Sequence, residues 1–459
     1  MTTAARPAWR AAWRALAHAL LALLALPLVL ALAACATPGA APSAEGADTA
    51  MQADSSRYIV LAVDNPQTPP AGHAGSSLGG YGPAPRYLQG QRAASQLADI
   101  ARTHGLREVA GWPIVALGWH CVVFELPASG PTRETLLATL SRDARVQLAQ
   151  PLQEFETLAA TSAGATPATA TSADRIGLAY NDPYVHLQRG FADLAAAQAH
   201  RLSAGAGVRV AVVDTGAATG HPDLQGRVAA VRDFIGTRPD GTGFDTDRHG
   251  TQVAGVIAAA GNNHQGIVGI APLALLDLHK ACWQREGAQP GAPARCNSFT
   301  LAQALAAVLG SDARIVNLSL GGPADPLLDR LLAVLLQQGR IVVGALPPSG
   351  QREGFPTGTP GVIAVANAAA PLAAGVDAVL APGQDVLTLQ PGGSYDYASG
   401  SSIAAAHVSG VAALLLSADP RLDPARLRML LGPGGAAAPL NANTALDALQ
   451  RPGASTARR

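Results

Sequence analysis

Residues 208–214 read VRVAVVD, an apolar and largely β-branched run that ends on a carboxylate. Strands that are apolar at nearly every position are buried on both faces, which is typical of a parallel sheet covered by helices. Residues 175–450 are therefore predicted to form an α/β domain, a mainly parallel sheet with helices on both faces. Three further runs have the same texture and are separated by helical patterns: ARIVNLSL (313–320), RIVVGAL (340–346) and GVIAVAN (361–367).

A second folded region is predicted over residues 57–156. The order of its patterns, β-α-β-β-α-β, predicts a small ferredoxin-like α+β domain. Residues 157–174 are low-complexity Ala, Thr and Ser, and they predict a flexible linker between the two domains. The segments are RYIVLAV (57–63), a helix QRAASQLADIARTHG (91–105), two strands in WPIVALGWHCVVFEL (112–126), a helix TRETLLATLSRD (132–143) and a last strand VQLAQPLQEF (146–155).

The first 35 residues have the pattern of a signal peptide. Three arginines precede an uncharged run, residues 15–32, which ends in LAAC (32–35). A membrane-spanning helix is the alternative, and it fits less well because the apolar core is short and ends in small residues. LAAC resembles the lipobox of bacterial lipoproteins, which implies acylation of Cys35.

That resemblance implies export and a lipid anchor in the bacterial cell envelope, at the outer membrane because Ala36 rather than Asp follows the cysteine. The membrane is thus an expected partner through the lipid alone. Residues 36–56 are rich in Ala, Pro, Gly and Ser and predict a flexible tether, and residues 451–459 predict a tail.

Charge and cysteine content narrow the function further. Lys and Arg together number 32, as do Asp and Glu, so no net field favours nucleic acid as a partner. Cys282 and Cys296 flank the Pro- and Gly-containing stretch 283–295, and a disulfide that closes this loop is the expected pairing. A zinc site is the alternative, but it lacks a second Cys or His pair nearby. Cys121 is expected to be a buried free thiol.

Three chemically competent residues lie at ends of predicted elements. Asp214 closes the first strand and precedes Thr-Gly, which is consistent with a plain turn or with half of an aspartic-protease pair; the chain contains no second Asp-Thr/Ser-Gly, so the pair is excluded. His249 begins a helical pattern and Ser402 precedes a long apolar helix, where a lone residue is usually structural or a cap. Their chain order, Asp, His, Ser, is that of subtilisin.

The motifs around these residues resemble the subtilisin-like serine peptidases over roughly residues 178–448. The resemblance implies peptide-bond hydrolysis through an acyl-enzyme, with Asp214, His249 and Ser402 as the catalytic triad and the Ser402 backbone N–H as one oxyanion donor. The motifs are VAVVDTG followed by HPDL, DRHGTQVAGVIAA followed by GIVGIAP, NLSLGG, and SGSSIAAAHVSGVAALLL. The resemblance also implies that a protein or peptide substrate pairs in β fashion with Leu318, Ser319, Leu320, Gly321 and Gly322.

The same resemblance implies that the 57–156 domain is a propeptide. Such a domain assists folding, and its last strand, here ending near residues 154–157, enters the cleft as an inhibitor. The chain is then expected to cleave itself and to release the catalytic domain from its anchor. An unrelated accessory module is the alternative interpretation of residues 57–156.

One departure from the family pattern concerns the oxyanion hole. The family has an Asn as second donor after a strand, whereas RIVVGALPPSG (340–350) places Pro348 there, and no Asn occurs between Asn317 and Asn367. Ser349, Gln351 or a water molecule are the candidate replacements. A catalytically weak or inactive peptide-binding surface lipoprotein is therefore the alternative function.

The resemblance implies no cofactor for catalysis. It does suggest a structural calcium ion, with Asp223 and Asn262 as candidate ligands, because hard oxygen donors suit calcium. An Asn-Asn turn that needs no metal is the alternative interpretation of residues 262–263.

Overall fold

The computed structural model describes residues 44–66, 90–160, 180–236, 246–285, 287–289, 291–432 and 439–451. The chain divides into two units, Met1–Ala47 and Asp48–Arg459, and the contacts below lie within the second. The predicted signal peptide with Cys35, tether residues 36–43, linker residues 161–174 and tail residues 452–459 lie outside the described residues.

The N-terminal part of the fold is a four-stranded antiparallel sheet with strand order β2-β3-β1-β4. Its elements follow the β-α-β-β-α-β order expected from the sequence, because the central strands β1 and β3 are buried at nearly every position and both helices carry apolar residues on one face. They are α1 (Ala44–Ala53), β1 (Tyr58–Asp64), α2 (Gln91–His104), β2 (Arg107–Ile114), β3 (Trp119–Glu125), α3 (Arg133–Leu140) and β4 (Val146–Pro151).

Both faces of this small sheet are buried. Ile59 and Leu61 of β1 pack against helices α2 and α3, whereas Val60 and Ala62, one residue out of phase, belong to a cluster that includes residues 299–335 of the larger domain. Trp112 meets Phe299 edge to face, with ring centroids 4.9 Å apart. The second face therefore fixes the small domain against its neighbour.

Two local features differ from the sequence expectation. Helix α1 lies in the predicted tether and buries Met51, while Gln52 Nε2 donates to the Ile235 carbonyl at 3.2 Å. The predicted last strand ends at Pro151, and residues 154–157 form a separate strand in another sheet. Between them Gln153 N–H donates to Ser298 Oγ at 2.9 Å, so a contact with a distant residue bends the chain.

The remaining elements form the larger domain, and their bounds are as follows. Strands are β5 (Glu154–Thr157), β6 (Ala159–Ala160), β7 (Arg209–Asp214), β8 (Val228–Asp233), β9 (Leu275–Lys280), β10 (Cys282–Trp283), β11 (Arg295–Asn297), β12 (Ile315–Leu318), β13 (Leu320–Gly321), β14 (Ile341–Ala345), β15 (Ile363–Asn367), β16 (Val379–Ala381), β17 (Val386–Gln390) and β18 (Ser394–Gly400). Helices are α4 (Arg189–Asp193), α5 (Ala196–Ala199), α6 (Arg248–Ala258), α7 (Ser298–Leu309), α8 (Pro326–Gln337), α9 (Ser401–Ala418), α10 (Pro424–Leu430) and α11 (Ala442–Gln450). Single 3-10 turns lie at Ser55–Arg57, Val115–Leu117, Val185–Leu187, Pro222–Leu224 and Pro391–Gly393.

Seven of these strands form one parallel sheet, in the order β16-β15-β14-β12-β7-β9-β8. Alternate residues of β7 enter different cores: Val210 and Val212 pack with helices α6 and α9, and Ala211 and Val213 with α7 and α8. The chain moves from β7 toward β9 and β8 on one side, then toward β12 and β14 on the other. The carboxyl ends of β7 and β12 therefore border the crevice where α/β sheets build sites.

Helix α9 runs through the core beside this sheet. Among the described residues it is the helix whose length and apolar composition would suffice to cross a membrane, yet most of it is buried inside the fold. Its burial identifies it as a core helix of the domain. Its first turn, which carries Ser402, lies at the crevice end of the sheet, directly after β18.

Candidate active site

Asp214 is the last residue of β7, and its carboxylate is almost completely buried. His249 Nδ1 lies 2.7 Å from Asp214 Oδ1, and the Thr215 N–H donates to the same oxygen at 2.7 Å. Two donors on one oxygen fix the imidazole plane and favour the tautomer that carries its proton on Nδ1. The end of strand β7 thus places the Asp214 carboxylate against the His249 imidazole.

Close packing holds His249 at the start of helix α6. A Cβ added to Gly250 would lie 1.8 Å from the Gly216 carbonyl oxygen, so only glycine allows the helix to approach the loop after β7 this closely. The Gly250 N–H donates to Thr215 Oγ1 at 3.0 Å. The DTG and HGT motifs are therefore two sides of one contact.

Ser402 is the second residue of α9 and is fully buried. In the described part of the chain, Ser402 Oγ and His249 Nε2 are both buried polar atoms without a hydrogen-bond partner. A helix of this length leaves the N–H groups of its first turn free, with the positive end of the helix dipole beside them. The Ser402 N–H lies in this first turn and has no partner within the helix, so it is available as a donor.

A buried polar chain fixes the Ser402 backbone. Ser409 Oγ donates to Asn317 Oδ1 at 2.9 Å, Asn317 Nδ2 donates to Ser319 Oγ at 2.8 Å, and Ser319 Oγ donates to the Ser402 carbonyl at 2.9 Å. All four residues are fully buried. Neither Asn317 nor Ser409 was predicted from the sequence to have a role; the available signal was a small polar residue inside each of two apolar runs.

A buried cation lies behind the Asp–His pair and was also missed. Lys280, at the end of β9, donates from Nζ to the Thr215 carbonyl at 2.6 Å and forms an ion pair with Asp247. Burial raises the pKa of Asp247, and the Lys280 ammonium acts in the opposite direction. Lys280 thus links Thr215, the residue after Asp214, to Asp247, two residues before His249.

A segment of the chain itself lies across the crevice. Strand β5 is inserted between β11 and β13, pairing Glu156 with both Arg295 and Gly321. The Leu158 N–H donates to the Ser319 carbonyl at 3.1 Å, and Ala159 and Ala160 pair with Gly400 and Ser399. The Leu158–Ala159 bond therefore lies between two backbone pairings that adjoin Ser402.

Four of the five predicted substrate-binding residues, residues 319–322, contact this segment. Leu318 ends β12, Leu320 and Gly321 form β13, and Gly322 forms a bridge with Phe355. The Phe155 ring packs edge-on against Phe355 at 5.5 Å, and a Cβ on Gly322 would lie 2.4 Å from Phe155 Cδ1. Residues 318–322 thus line an extended cleft with an apolar recess.

The loop with the two prolines occupies the other side of the site. Ser401 Oγ donates to the Leu346 carbonyl at 2.6 Å, which ties the loop to the start of α9. Pro348 is exposed, Ser349 Oγ accepts from the Gln351 N–H at 3.4 Å, and both of these side chains are exposed. In the described structure neither Ser349 nor Gln351 has a hydrogen bond to Ser402. The second oxyanion donor therefore stays a prediction.

The candidate calcium ligands are engaged with protein donors. Asp223 accepts from Asn263 Nδ2 at 2.9 Å and from the Ile267 N–H at 3.0 Å, and Asn262 Oδ1 accepts from the Asn181 N–H at 3.2 Å. The asparagine that contacts Asp223 is thus Asn263, not Asn262. Within the described ranges, no group of three or more His, Cys, Asp or Glu is arranged to hold a metal. The calcium site expected from the sequence at Asp223 and Asn262 therefore stays a prediction.

Cys282 and Cys296 form a disulfide, opposite each other in the β10–β11 ladder with Cα atoms 4.3 Å apart. The stretch between them closes into a ribbon whose second strand, β11, pairs with β5. Cys121 is a fully buried free thiol whose pKa is raised by burial. The bridge therefore stabilises one wall of the cleft.

Comparison with known proteins gives consistent matches. Residues 205–433 match the model of the Subtilase family. Thermitase of Thermoactinomyces vulgaris is 34% identical over 247 residues, 52% of this chain and 85% of that protein. Subtilisin BL of Lederbergia lenta is 35% identical over 253 residues, 52% and 87% of the two chains.

Among solved structures, fervidolysin of Fervidobacterium pennivorans, a keratinolytic enzyme related to subtilisin, superimposes with a TM-score of 0.65 at 22% identity. The match covers 85% of this chain and 60% of fervidolysin. At this identity the match shows the fold alone. The parallel-sheet fold expected from the sequence is confirmed.

Proposed function

Because the chain belongs to the Subtilase family and is a serine endopeptidase, we propose that it is an exported zymogen that activates itself by cleaving its own Leu158–Ala159 bond. Asp214, His249 and Ser402 carry the reaction in this proposal. The observation on which it rests is the 2.7 Å contact between His249 and Asp214 at the end of β7, with residues 154–160 paired across the same crevice.

The chemistry follows from the donors and acceptors at the site. Ser402 Oγ attacks the carbonyl carbon of the bond while His249 Nε2 takes its proton, and Asp214 holds Nδ1–H and stabilises the imidazolium. The Ser402 N–H stabilises the oxyanion. The imidazolium then protonates the leaving amine, and a water molecule, deprotonated by His249, hydrolyses the acyl-enzyme. No step uses a metal.

Residues 57–158 act as the propeptide in this proposal. Their second sheet face packs on the catalytic domain, and their last strand completes a sheet with β11 and β13. Main-chain pairing of this kind binds a peptide largely through its backbone. Hence the segment is first a substrate and, once cut, an inhibitor that must dissociate.

The test follows the size and labelling of the full chain. Wild-type protein is expected to yield a catalytic fragment whose first residue is Ala159 and which reacts with a fluorophosphonate probe. Ser402→Ala and His249→Ala should leave the chain whole and unlabelled. Ser417→Ala, on an exposed turn of the same helix, is the matched control and should behave as wild type. An unprocessed, unlabelled wild type would overturn the proposal.

We also propose that Cys35 carries the lipid anchor. The sequence LAAC supports this, and it places the anchor on the propeptide side of the Leu158–Ala159 bond. Cleavage would therefore free the catalytic domain from the membrane. In cell fractionation, Ser402→Ala should keep the catalytic domain with the membranes, and Cys35→Ser should release the whole chain; membrane-bound wild-type catalytic domain after cleavage would contradict release.

A catalytically inactive peptide-binding protein is the second candidate function, and the Pro-Pro loop favours it. Proline has neither a side-chain donor nor a backbone N–H, and the loss of one oxyanion donor lowers kcat about 10²–10³-fold in a protease of this family. A rate of that size remains measurable. Turnover of a denatured protein mixture that disappears with His249→Ala would exclude this candidate.

A further inference from the structure

Arg295 reaches two acidic side chains of the segment that lies in the cleft. It belongs to β11, where its register partner is Glu156, while Asn297 pairs with Glu154. The guanidinium forms an ion pair with Glu154 through Nη1, and Nη2 lies 3.3 Å from Glu156 Oε1. One cation thus bridges two alternate residues of the segment.

The alternation follows from strand geometry. Phe155 and Thr157 are buried against the cleft floor, so Glu154 and Glu156 project to the opposite face, where Arg295 lies. Counting back from the Leu158–Ala159 bond, Glu156 is the third residue and Glu154 the fifth. Any peptide that pairs with β13 in the same register presents its third and fifth side chains to Arg295.

The position of Arg295 is fixed by its neighbours. Cys296 is bonded to Cys282, and Ala294 exchanges hydrogen bonds with Thr157 through its N–H to Oγ1 and its carbonyl to the Thr157 N–H, both at 3.0 Å. The Arg295 side chain is one-quarter exposed, which reduces but does not remove water from its ion pairs. When residues 154–157 leave, the Ala294–Thr157 hydrogen bonds are lost, but the Cys282–Cys296 disulfide still holds the backbone of β11, and Arg295 then lies beside an open strand edge.

We propose that Arg295 determines specificity by selecting substrates with acidic side chains at the third and fifth residues before the scissile bond. This inference rests on the proposed peptidase function. The only other polar contact to these acids in the described structure is Ser55 Oγ, which donates to Glu154 at 2.8 Å and departs with the propeptide. Arg295 is then the cation that a substrate meets.

The experiment expresses the full chain, allows it to process itself, and then supplies internally quenched peptides built on residues 153–160, QEFETLAA. Three peptides are compared, with Glu, Gln or Lys at both the position of Glu154 and the position of Glu156. Partly exposed ion pairs change a rate by up to about fivefold each, so kcat/KM for Glu should exceed that for Gln by about tenfold at low salt and by less at high salt. Lys should be slowest.

Arg295→Glu should invert this ranking, and Arg295→Lys should preserve it more weakly, because lysine keeps the charge but not the fork. Arg421→Glu makes the same charge change at an exposed site away from the cleft and should leave the ranking unchanged. If Arg295→Glu does not fold, the wild-type ranking, its salt dependence and the Lys variant decide the question.

The outcomes separate the two claims. If wild type cleaves none of the peptides, the peptidase proposal fails. If it cleaves all three at equal rates, or if Arg421→Glu inverts the ranking as Arg295→Glu does, the peptidase proposal stands and the specificity role of Arg295 is overturned.

Discussion

The nucleophile is held from behind by side chains that take no part in the chemistry. Ser409, Asn317 and Ser319 form a hydrogen-bonded relay that ends on the carbonyl of Ser402, and none of them contacts water. A buried network of this kind is stabilising only when every member is satisfied. Removal of one member should therefore affect stability more than its single hydrogen bond suggests.

Ser409→Ala is expected to lower the free energy of unfolding by about 1–3 kcal/mol, because it leaves the Asn317 side-chain oxygen buried without its donor. The measurement is urea unfolding in the Ser402→Ala background, where the proposed cleavage cannot occur. Ser417→Ala removes a hydroxyl from an exposed position of the same helix and should cost less than about 1 kcal/mol. Equal costs would contradict the network argument.

His279 gives the fold a dependence on pH. Both ring nitrogens are buried without partners among the described residues, and the ring stacks on Phe234 at 5.9 Å. Burial lowers the pKa of His279 from 6.5 to about 4. The unfolded chain therefore binds a proton that the folded chain excludes, so stability is lost as the pH falls from 6.5 toward 4.

We expect His279→Phe to remove the part of this acid-induced loss of unfolding free energy that His279 causes. That part is about 3 kcal/mol at most, since each unit of pKa corresponds to about 1.4 kcal/mol. Burial also lowers the pKa of His407 to about 4, so part of the acid sensitivity should remain. Unfolding free energies of the Ser402→Ala chain at pH 7 and pH 4.5 provide the comparison. An unchanged slope in the His279→Phe variant would show that this imidazole is not responsible.

The residues that could be predicted from the sequence are those that lie in a recognisable motif formed by their immediate neighbours in the chain. Asp214, His249 and Ser402 each lie in a local motif, and the structure places Asp214 and His249 in contact at the crevice where Ser402 lies in the first turn of helix α9. Lys280 and Asn317 could not be found in this way. Their partners are distant in the chain, and a lysine in a strand is ordinarily exposed.

Strand β5 depends on one glycine in the wall of the cleft. A Cβ on Gly322 would lie 2.4 Å from the Phe155 ring and 3.0 Å from the Glu154 carbonyl oxygen. Contacts this short cannot be relieved by a side-chain rotation, because one of them is to backbone. The recess for Phe155 exists only because residue 322 has no side chain.

Gly322→Ala is accordingly expected to slow self-cleavage by about tenfold or more, since a shift of about 1 Å in a bound substrate can cost about 10²-fold. The appearance of the fragment that begins at Ala159 measures this rate. Gly220→Ala, where the added methyl meets nothing within 4 Å, is the control and should process at the wild-type rate. A normal rate for Gly322→Ala would show that residues 154–157 are not cut from this position.

Long elements were predictable and short ones were not. Four strands of the parallel sheet, β7, β12, β14 and β15, and the helices α2, α6 and α9 have periodic or continuous apolar patterns that few other structures would satisfy. Strands β5, β6, β10, β11 and β13 have four residues or fewer. Each of these strands forms because a partner strand from a remote part of the chain supplies its hydrogen bonds, so no local sequence pattern predicts it.

At the scale of the whole molecule, the small domain contacts the larger domain in two ways, through one face of its sheet and through a strand that follows it. The face is the outer side of its sheet, with Val60 and Ala62 in the core cluster shared with helices α7 and α8, and the strand is β5. The sequence predicted two separate domains joined by a linker because composition changes along the chain. Composition does not reveal that the second face of the small sheet is apolar toward a partner rather than toward its own helices.

Residues 154–160 are covalently connected to the catalytic residues that would cleave them, and this connection has a kinetic consequence. Because attacker and target belong to one polypeptide, their encounter costs no translational entropy, and the half-time of activation should be identical before and after about a hundredfold dilution. A stopped-flow or gel time course at two concentrations would measure it. Acceleration at the higher concentration would mean that neighbouring molecules cut one another. Activation in the cell would then depend on the local concentration of the protein instead of proceeding at a fixed unimolecular rate.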